Sequence, residues 1–152
     1  MTPGDIAPDF TAATPGGPLT LSALRGGPVV LYFYPKDDTP ACTQEARDFS
    51  DLAAEFAAAG ARVIGVSKDS AAKHGRFAAK HALAVTLVSD EGGDICERYG
   101  VWAEKTLYGK TYLGIVRSTF LIDAEGRIAQ VWPKVSVKGH AEAVLAALRA
   151  LA

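Results

Sequence analysis

The sequence predicts an α/β fold: a central mixed sheet with helices on both faces and an N-terminal β-hairpin. Three observations predict it. Extended runs of β-branched and aromatic residues alternate with Ala-rich runs of helical period. The first long extended run, 28–34, is apolar throughout, as a strand covered on both faces must be. The last two, 117–123 and 127–132, are joined only by Ala124-Glu125-Gly126, a connection short enough for an antiparallel return.

The elements follow in order. Residues 10–12 and 19–21 flank Thr14-Pro15-Gly16-Gly17-Pro18, where Pro and Gly force a turn, so the chain opens with a hairpin. Pro35 ends the strand at 28–34 because it has no N–H to give to a sheet. From Cys42 to about Ala59, Ala46, Phe49, Leu52, Ala53 and Phe56 recur at three- and four-residue steps, while Glu45, Arg47, Asp48 and Glu55 keep largely to other faces. That pattern predicts a helix starting near Pro40, with Gly60 as its C-terminal cap. A strand at 61–67, a helix from Ser70 to about Leu83, a strand at 85–88 and a brief helix at 93–99 come next. A longer loop leads to the two final strands, and a helix over 140–150 closes the chain. This order of β-α-β-α-β, hairpin and helix is that of a layered α/β architecture of the thioredoxin type.

With 152 residues, 49% of them apolar and 22% charged, the sequence has the size and composition of one compact domain, expected to span 1–152. The net charge is −1 and basic residues are scattered, which argues against nucleic acid or an anionic membrane as partner. No apolar run approaches the ~20 residues of a bilayer span. Met1-Thr2-Pro3-Gly4-Asp5 lacks the basic and apolar regions of a signal peptide, so a cytoplasmic location is expected. Cys42 and Cys96 are the only cysteines, which excludes a disulfide scaffold and leaves the question of a reactive thiol.

Chemistry concentrates at Tyr34-Pro35-Lys36-Asp37-Asp38-Thr39-Pro40-Ala41-Cys42-Thr43-Gln44-Glu45, where a strand leaves the sheet and Cys42 falls in the first turn of a helix. Unpaired N–H groups and the positive helix end favour a thiolate there over a thiol, and the thiolate is the nucleophile. Thr39 can turn a hydroxyl into the same pocket, and Pro35 can wall it against water.

The spacing Pro35, Thr39, Cys42 resembles the Pro-x-x-x-Thr-x-x-Cys motif of peroxiredoxins. The segments at 32–40, 99–102 (Tyr-Gly-Val-Trp), 109–112 (Gly-Lys-Thr-Tyr) and 114–123 are similar, in the same order, to the PrxQ, or bacterioferritin comigratory protein, branch. The resemblance covers nearly the whole chain. It implies a thiol-dependent peroxidase for hydrogen peroxide and organic hydroperoxides, without metal or organic cofactor, in which Cys42 is the peroxidatic cysteine. Arg117 would then stabilise the thiolate and the peroxide, Thr39 would position the peroxide, and Glu45 would orient Arg117 through a salt bridge. An always-charged guanidinium suits that role, because it can hold an anion and donate to oxygen as charge develops. A monomer is expected from the same likeness.

One departure concerns regeneration. Many PrxQ proteins carry a resolving cysteine five residues after the peroxidatic one; here that position is Arg47. Cys96 is the only other thiol, expected on an apolar face beside Ile95 or Tyr99. The reading is therefore one-cysteine catalysis, with thioredoxin, a glutaredoxin or a small thiol attacking the sulfenic acid, and a Cys42–Cys96 disulfide as the second choice. A dithiol oxidoreductase would need Cys-x-x-Cys, and Glu45 stands where the second sulfur would be. A non-catalytic binding or chaperone module of the same fold is the other alternative. His74, His81 and His140 read as surface residues, Asp37-Asp38 as a solvated turn, and Trp102 and Trp132 as packing; none is assigned a site role.

Overall fold

The computed structural model describes residues 1–151. A seven-stranded sheet has the order β2-β1-β5-β4-β3-β8-β9, built from β1 (Thr11–Thr14), β2 (Gly17–Thr20), β3 (Val29–Phe33), β4 (Arg62–Ser67), β5 (Thr86–Ser89), β8 (Ser118–Ile122) and β9 (Ile128–Trp132). β3, β4 and β5 run parallel, while β8 returns antiparallel to β3 and β9 antiparallel to β8. Every residue of β3 is buried, as its unbroken apolar run requires of a strand covered on both faces.

Alternation along β3 divides the core in two. Leu31 and Phe33 pack with Ile64, Val66, Ile95, Cys96, Tyr99 and Phe120 on one face. Val30, Tyr32 and Tyr34 pack with Cys42, Phe49, Phe56, Phe77, Val144 and Leu148 on the other. That second face is covered by α1 (Pro40–Asp51), α2 (Ala53–Ala58), α3 (Ala71–His81) and α5 (His140–Ala150), and the first by the N-terminal segment and the single turn α4 (Ile95–Arg98).

Two expectations need correction. The helix predicted from Cys42 to Ala59 is broken at Leu52, whose backbone (φ −98°, ψ 8°) leaves helical geometry and separates α1 from α2. The predicted loop after residue 99 holds a separate two-stranded hairpin, β6 (Trp102–Leu107) and β7 (Lys110–Ile115). Its turn residues Tyr108 and Gly109 both have positive φ, 51° and 75°, which suits the twist of a two-residue hairpin. Most of this hairpin is exposed, so its strands never show the apolar alternation that marks a half-buried sheet. No helix is long and apolar enough to cross a membrane among the described residues.

Candidate active site

The end of β3, the first turn of α1 and the connection between β7 and β8 meet at one point. Thr39 caps α1 with extended backbone (φ −92°, ψ 154°), and Pro40 follows at the first helical position, where its missing N–H costs nothing. Cys42 is therefore the third residue of the helix, pointing inward with Glu45, Ala46 and Phe49 at three- and four-residue steps. Its side chain is nearly closed off, with 2% of the residue exposed.

Arg117 reaches across from the segment before β8. Its Nη2 donates to Cys42 Sγ at 3.2 Å, and its Nη1 donates to Glu45 Oε1 at 2.7 Å. One planar fork thus bridges two side chains a turn apart on α1. The backbone around it is pinned: Arg117 O accepts from Val135 N at 2.9 Å, and the Ser118 hydroxyl contacts Val116 O at 2.9 Å and Pro133 O at 3.1 Å. Burial works against the Arg117 charge, but Glu45 and Cys42 outweigh it and push the guanidinium further up. On the hairpin, burial and the repulsion of Arg117 push the Lys105 ammonium down.

Thr39 Oγ1 donates to Lys36 O at 2.8 Å, which commits its only proton and leaves its lone pairs to accept from a ligand O–H. Pro35, between Tyr34 and Lys36, is exposed at the surface of this loop. The structure thus brings Cys42, Arg117 and Glu45 into direct contact and sets Thr39 at the cap of the same helix. It does not bring in Cys96. That thiol is fully buried with Phe33 and Tyr99 on the face of the sheet opposite Cys42, and burial, reinforced by the Asp90 carboxylate, pushes it well up. Arg47 is exposed.

Two histidines and an aspartate expected at the surface are buried. His74 and Asp37 are buried against each other rather than solvated, and His140 is 6% exposed. His140 Nε2 lies 2.8 Å from Thr119 Oγ1, and its ring meets Phe49 and Trp132 edge-on. No periodic signal marks such residues, since a polar side chain on an otherwise apolar face reads the same whether or not a partner awaits it.

Two shifted groups give a pH signature. Burial pushes Glu45 from 4.5 up to about 7 despite Arg117, because its Oε2 is buried without a partner. Burial first and the Arg117 charge second push His140 from 6.5 down to about 4. The folded chain thus holds a proton on Glu45 that the unfolded chain loses between 4.5 and about 7, so this group's stabilisation fades as pH rises through that window. His140 acts oppositely: the unfolded chain takes up a proton below 6.5 that the folded chain refuses until about 4, so stability rises with pH in that range. Urea unfolding as a function of pH is expected to show a steeper rise from about 4 to 6.5 in Glu45→Gln, where only the histidine contribution remains, and a fall from 4.5 to about 7 in His140→Gln.

A thioredoxin-type sheet presenting a thiol at a helix N-terminus, with a guanidinium against the sulfur instead of a second cysteine, defines a thiol peroxidase of the peroxiredoxin class. The family model of the AhpC/TSA family matches residues 3–131, and the chain belongs to that family. Peroxiredoxin Bcp of Xanthomonas campestris is 53% identical over 135 residues, covering 89% of this chain and 84% of the relative. The structure of a cysteine-to-serine variant of PrxQ from Xylella fastidiosa superposes with a TM-score of 0.93 at 40% identity, covering 99% and 97% of the two chains. A Xanthomonas campestris bacterioferritin comigratory protein, studied for its alkyl peroxide reduction activity, gives a TM-score of 0.89 at 50% identity over 93% and 91%. The expected branch, PrxQ/Bcp, is the one these relatives represent, and the chain is a peroxidase of that kind.

Proposed function

We propose that Cys42 is the peroxidatic cysteine, that hydrogen peroxide and organic hydroperoxides are its substrates, and that an external thiol regenerates it. The observation that carries this reading is the 3.2 Å contact between Arg117 Nη2 and Cys42 Sγ, with Glu45 holding the other arm of the same guanidinium. The Cys42 thiolate attacks the terminal oxygen of ROOH in line with the O–O bond. An S–O bond forms, the O–O bond breaks, RO⁻ leaves and takes a proton to become water or an alcohol, and sulfur loses two electrons to become a sulfenic acid. Arg117 stabilises first the thiolate and then the charge building on the peroxide oxygens. The Thr39 hydroxyl, its proton committed to Lys36 O, accepts from the peroxide O–H, and Pro35, exposed on the same loop, offers no competing N–H.

A thiol R′SH then attacks the sulfenic acid, releasing water and leaving a mixed disulfide. A second thiolate displaces Cys42 from it, so the electrons come from two thiols of a thioredoxin, a glutaredoxin or a small thiol. Burial of Cys96 beyond the sheet supports external reduction over a Cys42–Cys96 bridge, because a disulfide needs Cα atoms within about 7 Å. Intact mass measured after one equivalent of peroxide tests the reading. One added oxygen on Cys42, with Cys96 still titratable, is expected; loss of both thiols with no added oxygen would replace it by an intramolecular disulfide.

A further inference from the structure

The loop that carries Thr39 to Cys42 is tied down at a point the chemistry does not use. Asp37 is 2% exposed and His74, on α3, is fully buried. Tyr34 Oη donates to Asp37 Oδ1 at 2.5 Å, His74 Nδ1 lies 2.6 Å from Asp37 Oδ2, and Asp37 N donates to Asp69 Oδ2 at 2.8 Å. His74 Nε2 lies 3.0 Å from Val88 O, an acceptor only, so Nε2 carries a proton. The short Nδ1–Oδ2 contact then holds one further proton between ring and carboxyl, and both side chains are fully satisfied.

Asp69 is held by the Ser67 hydroxyl at 2.6 Å and Lys73 at 2.9 Å. Asp38, next along, takes a left-handed backbone (φ 62°) that costs a non-glycine residue energy, and its carboxylate is held by Lys80 at 2.7 Å and His81 at 2.8 Å. Asp37, Asp69 and His74 have the donor types of a metal site. Yet the Nδ1 and Oδ2 electron pairs a cation would need are engaged with each other.

We propose that the buried Asp37–His74 pair is a positioning device that fastens the active-site loop to α3, favouring attack on peroxide and holding back reduction of the oxidised sulfur. The proposal rests on Cys42 being the oxidised residue. Attack requires Thr39, Cys42 and Arg117 in fixed register, and a displacement of ~1 Å can cost about a hundredfold. Reduction makes the reverse demand, since a thiol larger than a peroxide must reach a sulfur whose residue is 2% exposed. Residue 37 lies between β3 and the cap of α1, so its anchorage to α3 sets how readily that loop lifts.

The two half-reactions separate this role from mere stability. Rapid-quench mass measurement follows oxidation of Cys42 by hydrogen peroxide; reduction of the preformed sulfenic acid by dithiothreitol is timed separately. In Asp37→Ala, oxidation is expected to slow at least about tenfold while reduction quickens. Asp37→Asn can accept from Tyr34 and donate its amide N–H to Nδ1, so both rates are expected within about threefold of the parent chain. A folded Asp37→Ala that oxidises at the parental rate, or loses both half-reactions together, overturns the proposal, as does an Asn variant as impaired as Ala. Should Asp37→Ala not fold, Tyr34→Phe removes one contact and must shift the two rates in the same opposite directions; unchanged rates there overturn it equally. Cys42→Ser, run alongside, isolates the underlying reading: if its mass rises by one oxygen as fast as the parent's, the assignment of Cys42 fails, whatever Asp37 does.

Discussion

Peroxide consumption driven by dithiothreitol is expected to fall to the uncatalysed rate in Cys42→Ser and to stay within about threefold of the parent chain in Cys96→Ser. The first half follows from nucleophilicity. A serine hydroxyl at the mouth of α1 remains protonated, and among the described residues the side chain hydrogen-bonded to this position, Arg117, only donates and cannot act as the base a hydroxyl would need. The loss is complete because every later step acts on oxidised sulfur. The second half follows from the division of the core: Cys96 packs among Phe33, Tyr99 and Phe120, with the sheet between it and the site. A serine there buries a hydroxyl at a cost of about 1–3 kcal/mol if unpartnered. The adjacent Asp90 carboxylate, already bonded to the Cys96 N–H at 3.0 Å, offers an acceptor that reduces this cost. Cys96→Ser should thus shift the urea midpoint modestly and leave turnover nearly intact; a turnover loss as deep as that of Cys42→Ser would assign Cys96 to the resolving step.

What could be read from the sequence depended on where the information lies. Pro35, Thr39 and Cys42 sit within one strand–loop–helix junction, whose local rules of cap and helix end already place a thiol at a positive terminus. Arg117 is 75 residues from Cys42, and nothing local ties the two. Only the likeness to a family paired them, and the antiparallel β3–β8 register explains physically how they meet, because Phe33 faces Ser118 at the same sheet end. The β6–β7 hairpin was invisible because both of its faces are largely exposed. The burial of Asp37, His74 and His140 escapes the sequence for the opposite reason. Burial of a polar group depends on a partner from another element, here α3 for Asp37 and β8 for His140, and composition carries no trace of that pairing.

Arg117→Leu is expected to lower the second-order rate of Cys42 oxidation by roughly 10²–10³, the loss typical of removing a donor aimed at developing charge. Three effects act in the same direction. Sγ loses its 3.2 Å donor, so the thiolate is less favoured. On the proposed mechanism, the peroxide loses the cation that neutralises its departing oxygen. Glu45, buried and already carrying one unpartnered oxygen, loses the charge that opposes its upward shift, and its carboxyl is driven up beyond about 7. Arg117→Lys separates the charge from the fork: an ammonium restores a cation but cannot donate along two fixed, parallel directions to Glu45 and Cys42. Its rate should therefore fall between those of the parent chain and Arg117→Leu. Glu45→Gln keeps an acceptor for Nη1 while removing the carboxylate, so it should retain most of the oxidation rate. Competition for hydrogen peroxide against a reference peroxidase gives all three rates. Equal rates for Arg117→Leu and the parent chain would remove the guanidinium from the chemistry and leave the helix terminus as the sole support of the thiolate.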